Sequence, residues 1–378
     1  MKKSQLALLI GTLCLSGSPY AGIMRHDIDV QEYRDFAENR GKYAISATDI
    51  PLYRKDGSFD GYVLDVPMPD FSMVSDEGFS SFIAPSFVTG AKHIRYVLSL
   101  NLGNKARFAP TYRGINYNDD PSRDFHLPRV NKVIVESAPT PYITEEDFLA
   151  NRSRYTVYAR LGAGYQQIDD PETGKLIPID GAYVYNTGGT FKPEAITTFY
   201  HYYIKWRTFA PDNPAFSPLS IGTRPGDSGS PIFAWDSIDK RWIQLGVHSN
   251  IYGGGTTYKH FAGSTLINVK YVQEVMDSVR DADVEDSGGT TLEWRGDSIT
   301  QDGKSWQWHG LDQAQAETAP ASASNEQLNA TKDLRFNGEG GIIELAQSVN
   351  LGAGRLHFPM TTSCAAQATA TSAGLAAA

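Results

Sequence analysis

The sequence predicts an all-β fold, and both its composition and the spacing of its apolar runs support this prediction. The 378 residues include 35 Gly, 20 Tyr and 17 Phe. Aromatic residues are favoured in strands, and glycine marks turns. Short apolar or alternating runs recur with Gly and Pro between them and with few helical spacers. This pattern is typical of barrels or sandwiches rather than of a parallel sheet with crossover helices.

The charge balance excludes one class of partner. The chain has 34 Lys and Arg against 43 Asp and Glu, which gives a formal net charge of −9. No basic footprint of the kind that binds phosphate backbones is present in the sequence. Nucleic acids are therefore not expected as partners. The length suffices for two or three domains of about 150 residues each.

Residues 1–21 have the pattern of a secretory signal peptide. Lys2 and Lys3 precede an apolar run at 6–15, and small and turn residues continue to Ala21. The apolar run is too short to be a permanent membrane anchor. Of the two cysteines only Cys364 lies beyond this segment. The mature chain is therefore expected to be exported without an internal disulfide.

Two segments are predicted as helices within a series of strands. Residues 29–41 place apolar side chains on one face, with Asp29 as the N-cap and Gly41 at the end. Residues 265–279 have apolar positions at three- and four-residue spacing. The predicted strands include residues 43–45, 61–64, 80–89, 96–102, 129–135, 156–161, 181–185, 197–206 and 242–249.

A change of composition predicts the domain boundaries. An acidic, glycine-containing stretch at 281–289 follows the second helix, and an Ala-, Gln- and Ser-rich connector precedes three short alternating strands with Asn and Gly turns. Such strands are typical of successive sides of a β-helix. The predicted divisions are a signal peptide at 1–21, a main domain at 22–286, a small β layer with a connector at 287–330, a first β-helix turn at 331–360 and a disordered tail at 361–378.

The sequence Gly-Asp-Ser-Gly-Ser-Pro at 226–231 contains the leading candidate nucleophile, Ser228. A serine between glycines, directly before the apolar run at 232–235, can be both exposed and rigidly supported. The backbone N–H groups of Gly226 and Ser228 could form an oxyanion hole. An ordinary surface turn is the alternative, since these are turn residues. An α/β-hydrolase elbow fits poorly, because its last glycine is replaced by Ser230.

A nucleophilic serine requires a base and an orienting carboxylate. His93, at the end of a predicted strand, is preferred as the base, and His126 is the second candidate. Composition alone leaves Asp119, Asp120 and Asp124 open as the carboxylate. The chain order His, Asp, Ser is that of the chymotrypsin-like double β-barrel.

Four segments together resemble the passenger domain of IgA1-protease-type serine protease autotransporters. They lie at 33–41, 90–93, 124–125 and 226–231, and the resemblance extends over roughly residues 22–358. It implies a chymotrypsin-like double β-barrel protease domain followed by the start of a right-handed parallel β-helix. It also implies secretion from a Gram-negative bacterium.

The resemblance assigns roles to three residues: His93 as base, Asp124 as orienting acid and Ser228 as nucleophile. It implies a secreted serine endopeptidase that cleaves host or extracellular proteins through an acyl-enzyme, with no metal or other cofactor. A monomer is expected, with the outer-membrane export machinery as a partner of the full-length protein. Members continue into a long β-helix, so the chain is expected to be a fragment or a truncated product, the latter periplasmic.

The substrate pocket can also be placed from this resemblance. In the double-barrel fold the residue six before the nucleophile, here Gly222, lies at the base of the primary pocket. Thr223 follows it, and Ser249 belongs to the strand expected to form a wall. An uncharged base predicts a small or apolar P1 residue rather than Lys or Arg. The alternative function is an adhesin or immunomodulatory fragment with an inactive protease fold.

Overall fold

The computed structural model describes residues 22–84, 86–94, 100–102, 112–130, 134, 137–170, 172–198, 200, 202–253, 258 and 260–278, together with the backbone of strands at 291–296, 308–310, 316–317, 333–338 and 356–357. In this described part, 21 strands accompany three α-helices. The predicted β class is therefore confirmed.

Most strands are short. In chain order they are β1 (Ile23–Met24), β2 (Pro51–Tyr53), β3 (Phe59–Tyr62), β4 (Ser81–Ala84), β5 (Phe87–Thr89), β6 (Gly114–Asn116), β7 (Arg129–Val130), β8 (Tyr155–Gly162), β9 (Gln166–Asp169), β10 (Leu176–Ile179), β11 (Thr187–Phe191), β12 (Ile196–Thr198), β13 (Tyr203–Arg207), β14 (Pro231–Asp236), β15 (Arg241–Gly253), β16 (Phe261–Leu266), β17 (Thr291–Gly296), β18 (Trp308–Gly310), β19 (Ala316–Glu317), β20 (Asp333–Gly338) and β21 (Leu356–His357). The α-helices are α1 (Val30–Ala37), α2 (Glu145–Ala150) and α3 (Val269–Asp277), and 3-10 turns occur at Gly41–Tyr43, Arg152–Arg154 and Pro193–Ala195.

A seven-stranded sheet forms the larger part of the fold. Its order is β11-β8-β14-β15-β16-β13-β12, and every neighbouring pair is antiparallel. All six residues of β14 are buried, so this strand lies in the middle of the core. Trp206 of β13 packs on Phe191 of β11 with ring centroids 4.8 Å apart. The turn that contains Ser228 leads directly into this buried strand.

A four-stranded sheet, β4-β5-β7-β6, carries the other candidate residues. His93 follows β5, and Asp124 lies between β6 and β7. This sheet is joined to the seven-stranded sheet by a shared buried cluster, which includes Phe87 of β5 and Val247 of β15. Burial of large apolar side chains at about 25 cal/mol per Å² makes this contact a stable one. The packing therefore holds the histidine and aspartate against the serine turn.

The first helix begins where the sequence predicts. The Asp29 side chain accepts a hydrogen bond of 2.9 Å from the backbone N–H of Gln31, as an N-cap does. The helix ends at Ala37 rather than near Gly41. Asn39 adopts a positive φ of +52°, a left-handed conformation that asparagine tolerates better than most residues. An asparagine therefore terminates the helix before the glycine.

The helix predicted at 265–279 begins later in the structure than the sequence predicts. Thr265 belongs to β16, where it pairs with Val247 of β15. The helix begins only at Val269, and the Asn268 side chain caps it by accepting from Tyr271 N at 3.3 Å. Apolar residues at the strand end happened to continue the helical spacing, so periodicity alone could not separate the two elements.

The strand predicted at 181–185 is wrong. Gly181 and Tyr183 have positive φ values of +122° and +56°, and Tyr185 N donates to Gly181 O at 3.0 Å. The segment is therefore a turn. A Cβ at Gly181 would lie 2.6 Å from Arg34 Nη2, so the contact with α1 requires glycine there. Residues 197–206, predicted as one strand, contribute instead to the hairpin of β12 and β13.

The C-terminal strands form one five-stranded sheet, β19-β18-β17-β20-β21. β17 pairs antiparallel with β18 and parallel with β20, and β20 pairs parallel with β21. The predicted small β layer and the predicted first β-helix turn therefore share a sheet. The predicted strand at 96–102 falls largely outside the described residues, and the predicted boundary at 286 and tail at 361–378 do so entirely. Among the described residues, no helix is long and apolar enough to cross a membrane.

Candidate active site

The end of β5 positions His93. Gly90 and His126 exchange backbone hydrogen bonds of 3.2 and 3.0 Å, and Ile94 N donates to Ala91 O at 3.2 Å to close the turn. A Cβ at Gly90 would lie 2.2 Å from His126 Nε2. The close approach therefore requires glycine, and it fixes where the strand ends and the turn with His93 begins.

His93 contacts both other members of the candidate triad. Its Nε2 lies 2.8 Å from Ser228 Oγ, and its Nδ1 lies 2.7 Å from Asp124 Oδ2. Its backbone N–H donates to Asp124 Oδ1 at 3.0 Å. Because the carboxylate can only accept from Nδ1–H, the neutral ring leaves Nε2 free to accept the serine proton. The structure thus brings the three predicted residues into one hydrogen-bonded chain.

The electrostatics of the pair favour a charged imidazole. The hydrogen bond that His93 donates to the Asp124 carboxylate raises the pKa of His93 above its usual value of 6.5, and partial burial opposes this effect. Burial opposes ionisation of Asp124, but hydrogen bonds from His93 and Ser249 hold the pKa of that carboxyl below its usual range. Asp124 is therefore an anion that stabilises the protonated ring.

Ser249 has a contact that the sequence did not predict. Its hydroxyl donates to Asp124 Oδ2 at 2.5 Å. The residue was predicted in a pocket wall on its own strand; its role in a pocket stays a prediction, and its side chain also contacts the triad carboxylate. Asp124 consequently accepts from His93 N, His93 Nδ1 and Ser249 Oγ. These bonds hold the carboxylate in one orientation.

The alternative candidates occupy other environments. His126 is fully buried, and Asp119 lies 3.9 Å from its Nδ1. The Asp120 carboxylate accepts hydrogen bonds from Ser122 and Asn268. Neither of these two carboxylates contacts His93 in the described part of the chain, so the geometry separates Asp124 from them.

The serine turn is fixed by its glycines and by β15. Gly226 and Gly229 have φ values of +103° and +85°, which side chains other than glycine rarely adopt. Gly229 N donates to His248 O at 2.8 Å, and His248 N donates to Ser230 O at 2.7 Å. A Cβ at Gly229 would lie 2.5 Å from Phe79 O. These contacts and the two glycines constrain the conformation of the turn.

The N–H groups predicted as an oxyanion hole are available. Within the described residues, Gly226 N and Ser228 N donate to no acceptor, whereas Asp227 N donates to Arg224 O at 3.1 Å. Two neighbouring donors without partners at one turn are what a developing oxyanion requires.

A buried ion pair lies beneath this turn. Arg160 Nη2 of β8 lies 2.8 Å from Asp227 Oδ2, and the side chains are 2% and 0% exposed. Gly22 N also donates to this carboxylate at 3.1 Å. Burial raises the pKa of Asp227, and the Arg160 guanidinium opposes that effect. A Cβ at Gly162 would lie 2.1 Å from Asp227 Oδ1, so the position of this carboxylate requires glycine there.

Sequence reasoning did not identify this ion pair. The available signal was Arg160 itself, the one charged residue of the strand Tyr155–Gly162. A buried charge of this kind requires a partner. No local pattern indicates that the partner is Asp227, which is 67 positions away, next to the nucleophile.

Gly222 and Thr223, the predicted pocket residues, lie close behind the serine turn. Gly222 exchanges backbone hydrogen bonds with Ile23, and its carbonyl also accepts from Arg160 Nη1 at 3.1 Å. Thr223 is fully buried, and its N and Oγ1 each lie 3.0 Å from His260 Nε2. Burial lowers the pKa of His260 to about 3, so this ring is neutral. Their role in a pocket stays a prediction.

No cluster of three or more His, Cys, Asp or Glu side chains that could hold a metal ion occurs in the described residues. The groups that the described structure does bring together are the hydrogen-bonded serine, histidine and aspartate and the N–H groups of Gly226 and Ser228.

A serine, a histidine and an aspartate hydrogen-bonded in this order form the catalytic triad found in one class of hydrolases. A profile of the family described as Immunoglobulin A1 protease matches residues 21–268 of the chain. The chain belongs to this family.

Two curated relatives give the scale of the similarity. Serine protease EatA of Escherichia coli O78:H11 is 30% identical over 94% of this chain and 26% of its own length. The Adhesion and penetration protein autotransporter of Haemophilus influenzae is 30% identical over 64% of this chain and 19% of its own length. The chain therefore spans about a quarter or less of the length of these relatives.

A solved structure shares the fold. The crystal structure of the Haemophilus influenzae Hap adhesin matches 89% of this chain and 39% of its own, with a TM-score of 0.59 and 24% identity. At this identity the likeness concerns the fold, which is that of autotransporter passengers.

Proposed function

We propose that the chain is a serine endopeptidase that cleaves extracellular or host proteins. The observation that carries this proposal is the hydrogen-bonded chain Ser228, His93 and Asp124, with distances of 2.8 and 2.7 Å. Membership of a peptidase family and the name of the relative EatA, a serine protease, support it.

The proposed reaction follows from these contacts. Ser228 Oγ attacks the carbonyl carbon while its proton moves to His93 Nε2, and Asp124 stabilises the imidazolium. The N–H groups of Gly226 and Ser228 stabilise the oxyanion, each by about 2.7–4 kcal/mol. The C–N bond then breaks as His93 protonates the leaving amine. Water, deprotonated by His93, hydrolyses the acyl-enzyme.

A fluorophosphonate probe tests the proposed chemistry directly. We expect folded wild-type protein to be labelled at Ser228, because His93 activates this hydroxyl, and we expect no labelling of urea-unfolded protein. Mass spectrometry of the labelled peptide identifies the residue. Folded protein without a label at Ser228 would exclude the endopeptidase.

The second candidate function is that of an adhesin or immunomodulatory fragment with an inactive protease fold. The name of the Haemophilus influenzae relative, an adhesion and penetration protein, favours it. Binding to epithelial cells that is unaffected by Ser228→Ala, in a chain that fluorophosphonate does not label, is the result that this function predicts.

We also propose the finer architecture of the chain. The four-stranded and seven-stranded sheets correspond to the two halves of a chymotrypsin-like double β-barrel within residues 22–286. The successive parallel pairing of β17, β20 and β21 supports the start of a right-handed β-helix. Secretion or cell-surface display, with the outer-membrane export machinery as a partner of the full-length protein, is proposed from the autotransporter relatives.

A small or apolar P1 residue remains our proposal for the primary pocket. Gly222 brings no charge there, and the nearby His260 is neutral because burial lowers its pKa to about 3. Arg160 and Asp227 are paired with each other. The only carboxylate among Gly222, His260, Arg160 and Asp227 is therefore already paired, and it is not free to bind a Lys or Arg side chain of a substrate.

The raised pKa of His93 predicts the pH dependence of activity. His93 must be neutral to accept the serine proton, so kcat/KM should fall as the pH decreases through the His93 pKa, with a midpoint above 6.5. Asp124→Asn removes the largest cause of the increase. The imidazole pKa, measured by NMR in that variant, should therefore decrease.

The control for this pH dependence is a second histidine, His26, which is far from the triad in sequence. Its Nδ1 lies 3.6 Å from Asp169 Oδ1. His26→Gln should leave the acidic midpoint of kcat/KM unchanged. A wild-type midpoint below 6.5, or an imidazole pKa that Asp124→Asn does not lower, would contradict the assigned pairing.

A further inference from the structure

An open groove with a volume of about 330 Å³ adjoins the candidate triad. Tyr202, Tyr203 and Tyr252 are among the residues that line it, together with Asp124 of the triad and the cations Lys92 and Arg123. We call this feature the tyrosine groove. Because Asp124 belongs both to the groove and to the triad, a peptide that reaches Ser228 can also reach the tyrosines.

The tyrosine rings leave apolar surface open to a ligand. Tyr202 and Tyr252 are 39% and 48% exposed, whereas Tyr203 is 6% exposed. The rings of Tyr203 and Tyr252 lie 6.1 Å apart at 87°, the edge-to-face arrangement that aromatic pairs prefer. The buried ring therefore supports the exposed one. Contiguous exposed apolar surface next to a site commonly marks binding.

Charges of both signs border the groove. The Lys205 ammonium lies 4.5 Å from the centre of the Tyr252 ring, and the Arg123 guanidinium lies 5.1 Å from that of Tyr202. Arg123 is also paired with Glu145 at 2.6 Å. Because cations and the Asp124 carboxylate both border the groove, and Arg123 and Asp124 already have partners, charge favours no one ionic side chain there.

The strand next to the groove can hold an extended peptide. β14 pairs with β15 only as far as Val247, whereas β16 continues to pair with β15 up to Gly253. His248 bonds to the serine turn. In the described chain, the edge of β15 beyond His248 therefore lacks a strand partner on the side of Ser228. A peptide added there would present alternate side chains to the groove.

We propose that the tyrosine groove is a substrate subsite that takes one aromatic or large aliphatic side chain of an extended peptide lying across the triad. The inference rests on the proposed endopeptidase function and adds a second determinant of specificity to the primary pocket. Its volume is at the lower limit of about 300 Å³ for ligand pockets, which suits a single side chain.

The first experiment is a cleavage-site profile of the wild-type chain on a peptide library. We expect Phe, Tyr, Trp or Leu to be enriched at one position other than P1. Two synthetic peptides are then made, one with Phe at that position and one with Ala. The aromatic peptide should be cleaved with an about 3–10-fold higher kcat/KM.

Variants of the groove test whether the tyrosines cause this preference. Tyr252→Ala and Tyr202→Ala should each lower kcat/KM about 3–10-fold for the Phe peptide and less than about twofold for the Ala peptide. Tyr252→Phe should retain the preference, since the ring makes the contact. Tyr53→Ala, at an equally exposed tyrosine of β2 (50%), is the matched control and should change neither value.

The outcomes separate the inference from the function on which it rests. A profile without aromatic or aliphatic enrichment outside P1, or the same preference in Tyr252→Ala as in wild type, overturns the tyrosine groove and leaves the endopeptidase intact. A wild-type chain that neither cleaves peptides nor reacts with fluorophosphonate overturns both.

Discussion

Replacing Ser228 by alanine should lower kcat/KM for casein or peptide hydrolysis by about 10⁴–10⁶-fold. Ser228 supplies the only hydroxyl within hydrogen-bond distance of His93 Nε2 in the described residues. Without it, no acyl-enzyme can form. His93→Ala should cause a loss of similar size, and the double variant should be no worse than either single one, because the residues act as a unit. Initial rates on unfolded casein and a cleavable peptide measure the effect.

Two controls test whether the loss of activity comes from removal of the nucleophile rather than from unfolding of the protein. Ser228→Ala should retain the unfolding midpoint of wild type, since it removes only a partly exposed hydroxyl. Ser58→Ala removes a hydroxyl from an exposed turn, where it donates to Asp56 at 2.6 Å, and should retain full activity. A Ser228→Ala protein with more than about a tenth of wild-type activity would contradict the assignment of the nucleophile.

Breaking the ion pair beneath the serine turn should destabilise the fold strongly. Asp227→Asn leaves Arg160, which is 2% exposed, without a counter-charge. Removal of one partner of a buried pair costs about 3–5 kcal/mol in the free energy of unfolding. Because Asp227 precedes the nucleophile and closes its turn, activity should also fall. Urea-induced unfolding measures the stability.

A matched surface pair supplies the control. Lys270 and Glu274 lie 3.9 Å apart on α3 with 88% and 62% exposure, so Glu274→Gln should cost at most about 0.5 kcal/mol. The double variant with Arg160→Met and Asp227→Asn should recover part of the lost stability, because no buried charge remains unpaired. A loss below about 1 kcal/mol in Asp227→Asn would show that the pair does not stabilise the turn.

The sequence predicted local features well where one short segment decides them. Asp29 caps a helix because its carboxylate reaches an N–H two residues away. The serine turn was recognisable because two glycines must adopt positive φ there. The predictions at 181–185 and at Thr265 were wrong, because contacts with Arg34 and with β15 override the local preference.

The same limit applies to the candidate site. The sequence predicts the features that neighbouring residues form, but not the contacts between residues far apart in the chain. Ser228, its turn and its glycines follow from the sequence alone, together with the order of histidine, aspartate and serine. Composition left three aspartates open, and the family resemblance assigned Asp124. Only the tertiary structure brings its carboxylate to His93, gives Ser249 its place on that carboxylate and pairs Arg160 with Asp227. These contacts join residues 31, 125 and 67 positions apart. Periodicity and turn chemistry act over a few residues, whereas packing of two sheets decides which distant side chains meet.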